Sequence, residues 1–126
     1  MQITDHKVAG NEKNELYISV VDKPGSGGAH HKYRIEASLE QDFDGDGDFK
    51  TFIKFQNGPI PENGINGVTQ EVLLAIVAHR LQCFQDGPFP SPENEAALAH
   101  TVEALEILKK RTRDRIARAV EGKLEA

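Results

Sequence analysis

The chain reads as an α+β fold: an N-terminal antiparallel β-meander followed by a C-terminal antiparallel helical hairpin with a long second helix. Three observations carry this reading. Residues 15–56 contain three runs in which apolar and polar side chains alternate. Residues 69–122 switch to apolar spacings of three and four, the period of a helix with one buried face. Gly87-Pro88 interrupts that second pattern, and Ser91-Pro92-Glu93 restarts it with a cap, a first-turn proline and a first-turn acid. At 126 residues the chain is expected to form one domain, 1–126, with residues 57–68 as a linker loop between its two parts.

Residues 1–14 are polar and weakly patterned, an irregular arm or a marginal edge strand. The first strand places Leu16, Ile18 and Val20 on one face. Pro24, Gly25, Gly27 and Gly28 make the following segment a hairpin loop. The second strand sets Tyr33, Ile35, Ala37 and Leu39 against Lys32, Arg34, Glu36 and Ser38, the latter facing water. Asp42–Asp48 is read as a turn, and a third strand sets Phe49, Thr51, Ile53 and Phe55 against Lys50, Phe52, Lys54 and Gln56. A meander of this kind is wet on one face and needs a cover on the other, expected from the C-terminal half.

Pro59, Pro61, Gly58, Gly64 and Gly67 make 57–68 a loop. The first long helix is expected from near Thr69 to near Gln85, with Val72, Leu73, Ile76, Val77, Leu81 and Phe84 as its apolar face. The second carries Leu98, Val102, Leu105, Leu108, Thr112, Ile116 and Val120 up to Gly122. It is about 30 residues, roughly 45 Å, against roughly 25 Å for the first. Its second half, from Leu108 onward, is therefore expected to overhang, and the exposed stripe points to contact with another subunit.

The composition narrows the function classes. The net charge is −5, which argues against general DNA or membrane binding. No apolar run approaches a membrane span, and the first residues lack a secretory signal pattern. Cys83 is the sole cysteine, so no intrachain disulfide forms. A cytoplasmic protein is expected. Within this acidic chain, Lys109–Arg118 holds six of the 15 basic residues and one of the 20 acids. So concentrated a positive segment points to an anionic ligand.

Arg111, Arg115 and Arg118 recur at helical spacing and project from one face, where guanidinium groups suit phosphate oxygens. The plainer alternative is that cations favour helix C-termini. Phe84, at the end of the first helix, could stack on a base or serve as a core residue. Asn94 could read an adenine-like edge with its two-faced amide or act as a local cap. Asp42, Asp44, Asp46 and Asp48 resemble a calcium loop, but Ile53 stands where the twelfth-position Glu of an EF-hand belongs, so an acidic turn is favoured. His30-His31 is a weak metal signal, and His79 and Cys83 at i, i+4 are expected to be buried packing residues. No metal and no cofactor is expected. No nucleophile motif or two-histidine pattern is present, so the chain reads as a binder rather than an enzyme. Phe55-Gln56-Asn57-Gly58-Pro59 echoes Phe84-Gln85-Asp86-Gly87-Pro88, as favourable turn chemistry would.

The motifs from Gly67 to Gly122 then become informative together. They are Gly67-Val68-Thr69-Gln70-Glu71, His79-Arg80-Leu81, Phe84-Gln85-x-Gly87-Pro88-Phe89, Glu93-Asn94, Ala104-Leu105, Arg111-Thr112 and Val120-Glu121-Gly122. In order and spacing this stretch resembles the helical hairpin of the Thoeris anti-defence protein 1 family, which shares it with anti-CBASS protein 2. The N-terminal strands fit the former. The resemblance implies a bacteriophage sponge, active in the cytoplasm of the infected bacterial host in immune evasion. Such sponges bind and sequester glycocyclic ADP-ribose signals made by TIR enzymes, without degrading them. Some members also bind cyclic trinucleotides of CBASS systems. It implies ligand stacking on Phe84, hydrogen bonding by Asn94 and a diphosphate gripped by Arg111 and Arg115, with Gln85, Gly87, Thr112 and Arg118 as additional contacts. It further implies a homo-oligomer, a dimer or a hexamer built as a trimer of dimers, with no membrane partner and no DNA.

Helix geometry adds a constraint of its own. Asn94 and Arg111 are 17 residues apart on one helix, about 25 Å. One small ligand cannot reach both on one chain, so a shared site needs the turn of one subunit and the arginine end of another. The competing reading is an interaction module whose basic helix end grips an acidic protein or nucleic acid.

Overall fold

The computed structural model describes residues 1–12, 15–37 and 49–125, with side chains up to residue 119. The chain divides into two compact units, Met1–Val68 and Thr69–Ala126. The first is a four-stranded antiparallel sheet in the order β1-β2-β3-β4: Gln2–Ile3, Tyr17–Val20, Lys32–Ala37 and Phe49–Lys54. The three expected strands are present. The arm contributes a fourth, β1, whose two residues pair as Gln2 with Ser19 and Ile3 with Ile18. The Asp42–Asp48 turn, with its candidate calcium loop, lies outside the described residues, as does Leu39.

The register explains the two faces. Ile18, Ile35 and Thr51 lie side by side across the sheet, as do Val20, Tyr33 and Ile53. The Tyr33 and Phe55 rings meet edge to face, with centroids 5.7 Å apart. The opposite face is less wet than the alternation implies. Ser19, which pairs with Arg34, is the only buried residue among those described, at 8% exposure. Arg34 Nε donates to Glu36 Oε1 at 3.0 Å, and both side chains are about one-third exposed. Ser19 lies inside the sheet, flanked by Gln2 of β1 and Arg34 of β3, so a short side chain there stands between two longer neighbours.

Residues 57–68 are more than a linker. They contain a one-turn helix, α1 (Ile60–Asn63), capped by Gly64 at φ +69°, whose N–H donates to the Ile60 carbonyl. Side chains hold the segment to the end of β4. Gln56 Nε2 donates to the carbonyls of Gly58 and Gly64, and its Oε1 accepts from the Asn66 N–H. Asn66 in turn exchanges two hydrogen bonds with the Asn57 backbone, at 2.7 and 2.8 Å. Val68 forms a parallel bridge with Phe55. Amide side chains thus satisfy backbone groups that no regular element covers.

The second unit is the helical hairpin of α2 (Gln70–Asp86) and α3 (Pro92–Glu125), 17 and 34 residues. The α2 start is set by Thr69, whose hydroxyl accepts from the Val72 N–H. The α3 start is set by Ser91, whose hydroxyl accepts from the Asn94 N–H at 3.0 Å. Both are side-chain caps satisfying donors the helix cannot. Gly87 closes α2 in an extended conformation, its N–H bonded to the Phe84 carbonyl. The long helix runs past the expected stop at Gly122 to Glu125.

The two helices pack through half-buried residues spaced by threes and fours: Glu71, Leu74, Ala78, Leu81 and Gln85 on α2, with Asn94, Leu98, Thr101, Leu105, Leu108 and Thr112 on α3. This spacing averages 3.5, the seam of a coiled-coil pair. It corrects two expectations. First, most of the apolar face expected on α2 does not lie in this seam: Val72, Ile76, Val77 and Phe84 are 45–60% exposed. The helix has two apolar faces, and α3 covers only the one that includes Leu74 and Ala78. Second, the overhang begins later. Leu108 and Thr112 are half-buried, whereas Ile116 is 59% exposed.

Candidate functional site

Two groups of residues stand at opposite ends of α3. At the turn end, Phe84 occupies the last turn of α2 with 45% of its surface exposed. Gln85 is half-buried, and its Oε1 accepts from the Ser91 N–H at 3.0 Å, bracing the turn. Gly87 follows, in a position where a Cβ would sit 3.2 Å from the Cys83 carbonyl oxygen. Asn94, in the first turn of α3, is half-buried. Its backbone N–H is capped by Ser91, so Asn94 is not itself the cap. No partner holds its carboxamide among the described residues, and all its donor and acceptor capacity remains available.

Gln85 and Gln56 play the same part in the echoed segments. Each follows a Phe at an element end and accepts a backbone N–H from further along the chain. The glycines differ: Gly58 is left-handed at φ +84°, whereas Gly87 is at φ −92°. The likeness therefore lies in the glutamine brace rather than in the turn.

At the basic end, Arg111, Arg115 and Arg118 are exposed and fall within about 60° of one another around the helix. Among the described residues none of the three has a carboxylate within 4.0 Å. The other cations point elsewhere. Lys109 pairs with Glu106 at 3.0 Å and Lys110 with Asp114 at 2.9 Å. The Lys110 ammonium, with Arg118 and Arg113 adding smaller effects, holds the Asp114 carboxyl below its ordinary range. Lys109 and Arg113 also line a shallow cleft of about 300 Å³ with Thr112 and Glu71. Thr112 donates its hydroxyl to the Leu108 carbonyl at 3.2 Å. The basic segment is thus three separate faces: Lys109 and Lys110 are committed to acids, whereas the guanidinium groups of Arg111, Arg115 and Arg118, like that of Arg113 on the cleft face, meet no carboxylate among the described residues.

The structure places Phe84, Gln85, Gly87 and Asn94 at the turn end of the hairpin, and Arg111, Thr112, Arg115 and Arg118 in the second half of α3. It does not bring the two groups together on one chain: Asn94 and Arg111 remain 17 residues apart on an unbroken helix, about 25 Å. One neighbour escaped the sequence reading. The Arg80 guanidinium carbon lies 4.9 Å from the Phe84 ring centroid. A cation four residues before an exposed aromatic was the signal that could have found it.

The remaining candidates resolve simply. Cys83 is exposed rather than buried, with Sγ 3.9 Å from both ring nitrogens of His79, because these residues lie off the α2–α3 seam. His30 Nδ1 is 2.9 Å from the Asp22 carbonyl oxygen and 3.4 Å from its Oδ1, and His31 Nε2 is 3.1 Å from the Ser26 carbonyl oxygen. Among the described residues no three His, Cys, Asp or Glu side chains gather as a metal site. No described helix is long and apolar enough to cross a membrane.

A family model described as the Acb2/Tad1 hairpin domain matches residues 50–113, just over half of the chain. The chain belongs to this family. The matched span runs from β4 through the turn to the first of the arginines, so Phe84, Asn94 and Arg111 fall within it and Arg115 and Arg118 beyond it. The chain is also similar to a protein of Bacillus phage SBSphiJ7 named "Thoeris anti-defense 1", with 49% identity over 70 residues. That similarity covers 56% of this chain and 49% of the relative, so the chain spans about half the length of the curated protein it matches.

Proposed function

We propose that this protein is a phage anti-defence sponge. It captures glycocyclic ADP-ribose signals made by TIR enzymes in the cytoplasm of an infected bacterium and holds them without turnover. Cyclic trinucleotides of CBASS systems are a second ligand class for the same protein. The observation that carries this reading is a pair of groups on the family's hairpin: an exposed ring and a side-chain amide at one end, arginines at the other, the amide and the arginines having no partner among the described residues. A nucleotide-like signal offers a flat base, polar base edges and a diphosphate, which these groups match in kind. Stacking contributes about 1–3 kcal/mol per base, and each charge-assisted contact about 1.5–3 kcal/mol.

The site is composite. The turn of one subunit faces the arginine end of another, and a two-fold dimer holds two such sites. The open apolar face of α2 supports self-association, because Val72, Ile76 and Val77 are 47–60% exposed. Dimers can assemble further into a trimer of dimers. Sequestration needs no catalytic group, only affinity sufficient to keep free signal below its receptor's threshold.

The test is recovery of the ligand. The protein is incubated with glycocyclic ADP-ribose, the free signal is measured, and the protein is then heat-denatured. Depletion followed by release of intact ligand supports a sponge. Depletion with no recoverable ligand identifies an enzyme, and no depletion removes the reading altogether.

A further inference from the structure

We propose that Arg80 is a ligand-binding residue of the turn end, where it backs the Phe84 ring and donates hydrogen bonds to the anionic oxygens of a nucleotide stacked there. This rests on the sponge reading and adds to it a cation on the same chain as the stacking ring.

The sequence isolates Arg80. It is the only lysine or arginine between Lys54 and Lys109, a span that includes Glu71, Asp86, Glu93 and Glu95. The turn and the first residues of α3 carry Asp86, Glu93 and Glu95 and no lysine or arginine, so Arg80 is the cation of this chain nearest in sequence to that end of the hairpin. The helix period then places Arg80 on the ring: residues 80 and 84 are neighbours on one face, and the guanidinium carbon lies 4.9 Å from the Phe84 centroid. This is within the range at which a cation is attracted to an aromatic face.

The guanidinium is not engaged elsewhere. No carboxylate lies within 4.0 Å of it among the described residues. Asp86, six residues on at the end of α2, takes its hydrogen bond from Gln82 Nε2 at 3.0 Å. Arg80 is exposed and Phe84 is 45% exposed, so the pair is open to solvent. A guanidinium can rest its flat face on a ring while its edge N–H groups still donate in plane, which an ammonium cannot do. With one face of Phe84 covered by Arg80, the other is left for a base, and the attached phosphates fall within reach of the Arg80 edge. The simpler role for Arg80, a helix-stabilising i, i+4 contact, predicts no effect on ligand charge recognition.

The experiment is calorimetric titration of glycocyclic ADP-ribose into the full chain and three variants, at two or more salt concentrations. Arg80→Gln should weaken binding about 10- to 100-fold and flatten its salt dependence. Arg80→Lys should fall between. Lys110→Gln removes the same net charge from a residue already paired with Asp114, and should bind as the parent does. Circular dichroism of each variant separates lost contacts from lost helix. Parent-like affinity and salt dependence in Arg80→Gln would overturn this inference alone. Weakened binding with an unchanged salt slope would also overturn it, leaving Arg80 a structural support of Phe84. Failure of the parent protein to bind would overturn both the inference and the sponge reading.

Discussion

Gly67 and Phe55 meet backbone to backbone. A Cβ at position 67 would overlap the Phe55 carbonyl group and lie 2.6 Å from the Lys54 carbonyl oxygen. This contact is what lets Val68 bridge to Phe55, with the Val68 N–H donating to Lys54 and its carbonyl accepting from Gln56. Neither neighbour can give way, because both are main chain fixed beside β3. Gly67→Ala should therefore lower stability by about 1–3 kcal/mol, the usual cost of overpacking, read as a lower midpoint in chemical denaturation. Gly10→Ala is the contrast. Gly10 is at φ +93° with open space around it, so its cost is confined to backbone conformation.

The caps of the hairpin give a second expectation. Ser91→Ala removes the acceptor for the Asn94 N–H, and Thr69→Ala the acceptor for Val72. Each should cost about 1 kcal/mol. Ser91→Ala also bears on the proposed ligand site, because Ser91 caps the turn of α3 on which Asn94 stands. Thermal melts followed at a helical signal would show both losses, and Ser91→Asp should largely restore the first.

These caps were legible from sequence for a physical reason. A cap depends on a few adjacent residues, so Ser91-Pro92-Glu93 and Thr69 mark their helix starts without reference to the fold. The strand alternation is local in the same sense. What was not legible depends on partners. The α2 sequence is apolar around much of its circumference, and hydrophobicity alone does not say that Leu74 and Ala78 meet α3 while Ile76 and Val77 do not. Nor does it reveal that Gln56 and Asn66 would knit 57–68 together, because an amide's partners are set by tertiary geometry. The site was half legible. Three arginines on one face follow from helix period alone, but that Lys109 and Lys110 are spent on Glu106 and Asp114 follows only from side-chain placement.

Arg111 and Arg115 should separate binding from stability. Both are exposed and neither is paired among the described residues, so replacing either by alanine should change the unfolding midpoint little. If the proposed site is right, the same changes should remove most capture of glycocyclic ADP-ribose, because each deletes a charge-assisted donor that the proposal assigns to the diphosphate. Lys110→Ala breaks only an exposed ion pair and should leave both properties nearly intact. Retained affinity in both arginine variants would exclude the phosphate role.

The loop between β2 and β3 should respond to acid. Asp22 Oδ2 accepts from the His31 N–H at 2.8 Å, and this bond is the main reason its carboxyl titrates below the ordinary range. A carboxyl whose pKa is lower folded than unfolded stabilises the fold fully above the unfolded value, about 3.9. That contribution is lost as pH falls through the folded value. The sheet unit should thus be more stable than its Asp22→Ala variant at neutral pH, and the two should converge as pH falls below the ordinary carboxylate range. Denaturation midpoints measured from pH 7 to pH 2 would show the convergence, and a constant gap would contradict it.

Leu74 and Ile76 offer the sharpest separation of fold from assembly. They are two residues apart, so helix geometry sets them on nearly opposite faces. Leu74 is half-buried in the seam with α3, and Ile76 is 60% exposed. A charge at the first position is pressed into the seam against α3, partly desolvated and without a cation opposite it among the described seam residues. Leu74→Asp should open the hairpin and abolish cooperative unfolding. A charge at the second is fully solvated in an isolated chain and becomes costly only where another subunit covers it. Ile76→Asp should therefore leave helical content unchanged while shifting the mass measured by light scattering towards a monomer. Because the proposed ligand site needs two chains, the same substitution should also weaken signal capture without altering Phe84, Asn94, Arg111 or Arg115. An Ile76→Asp protein that keeps the parent's mass and affinity would place the subunit contact on a different face.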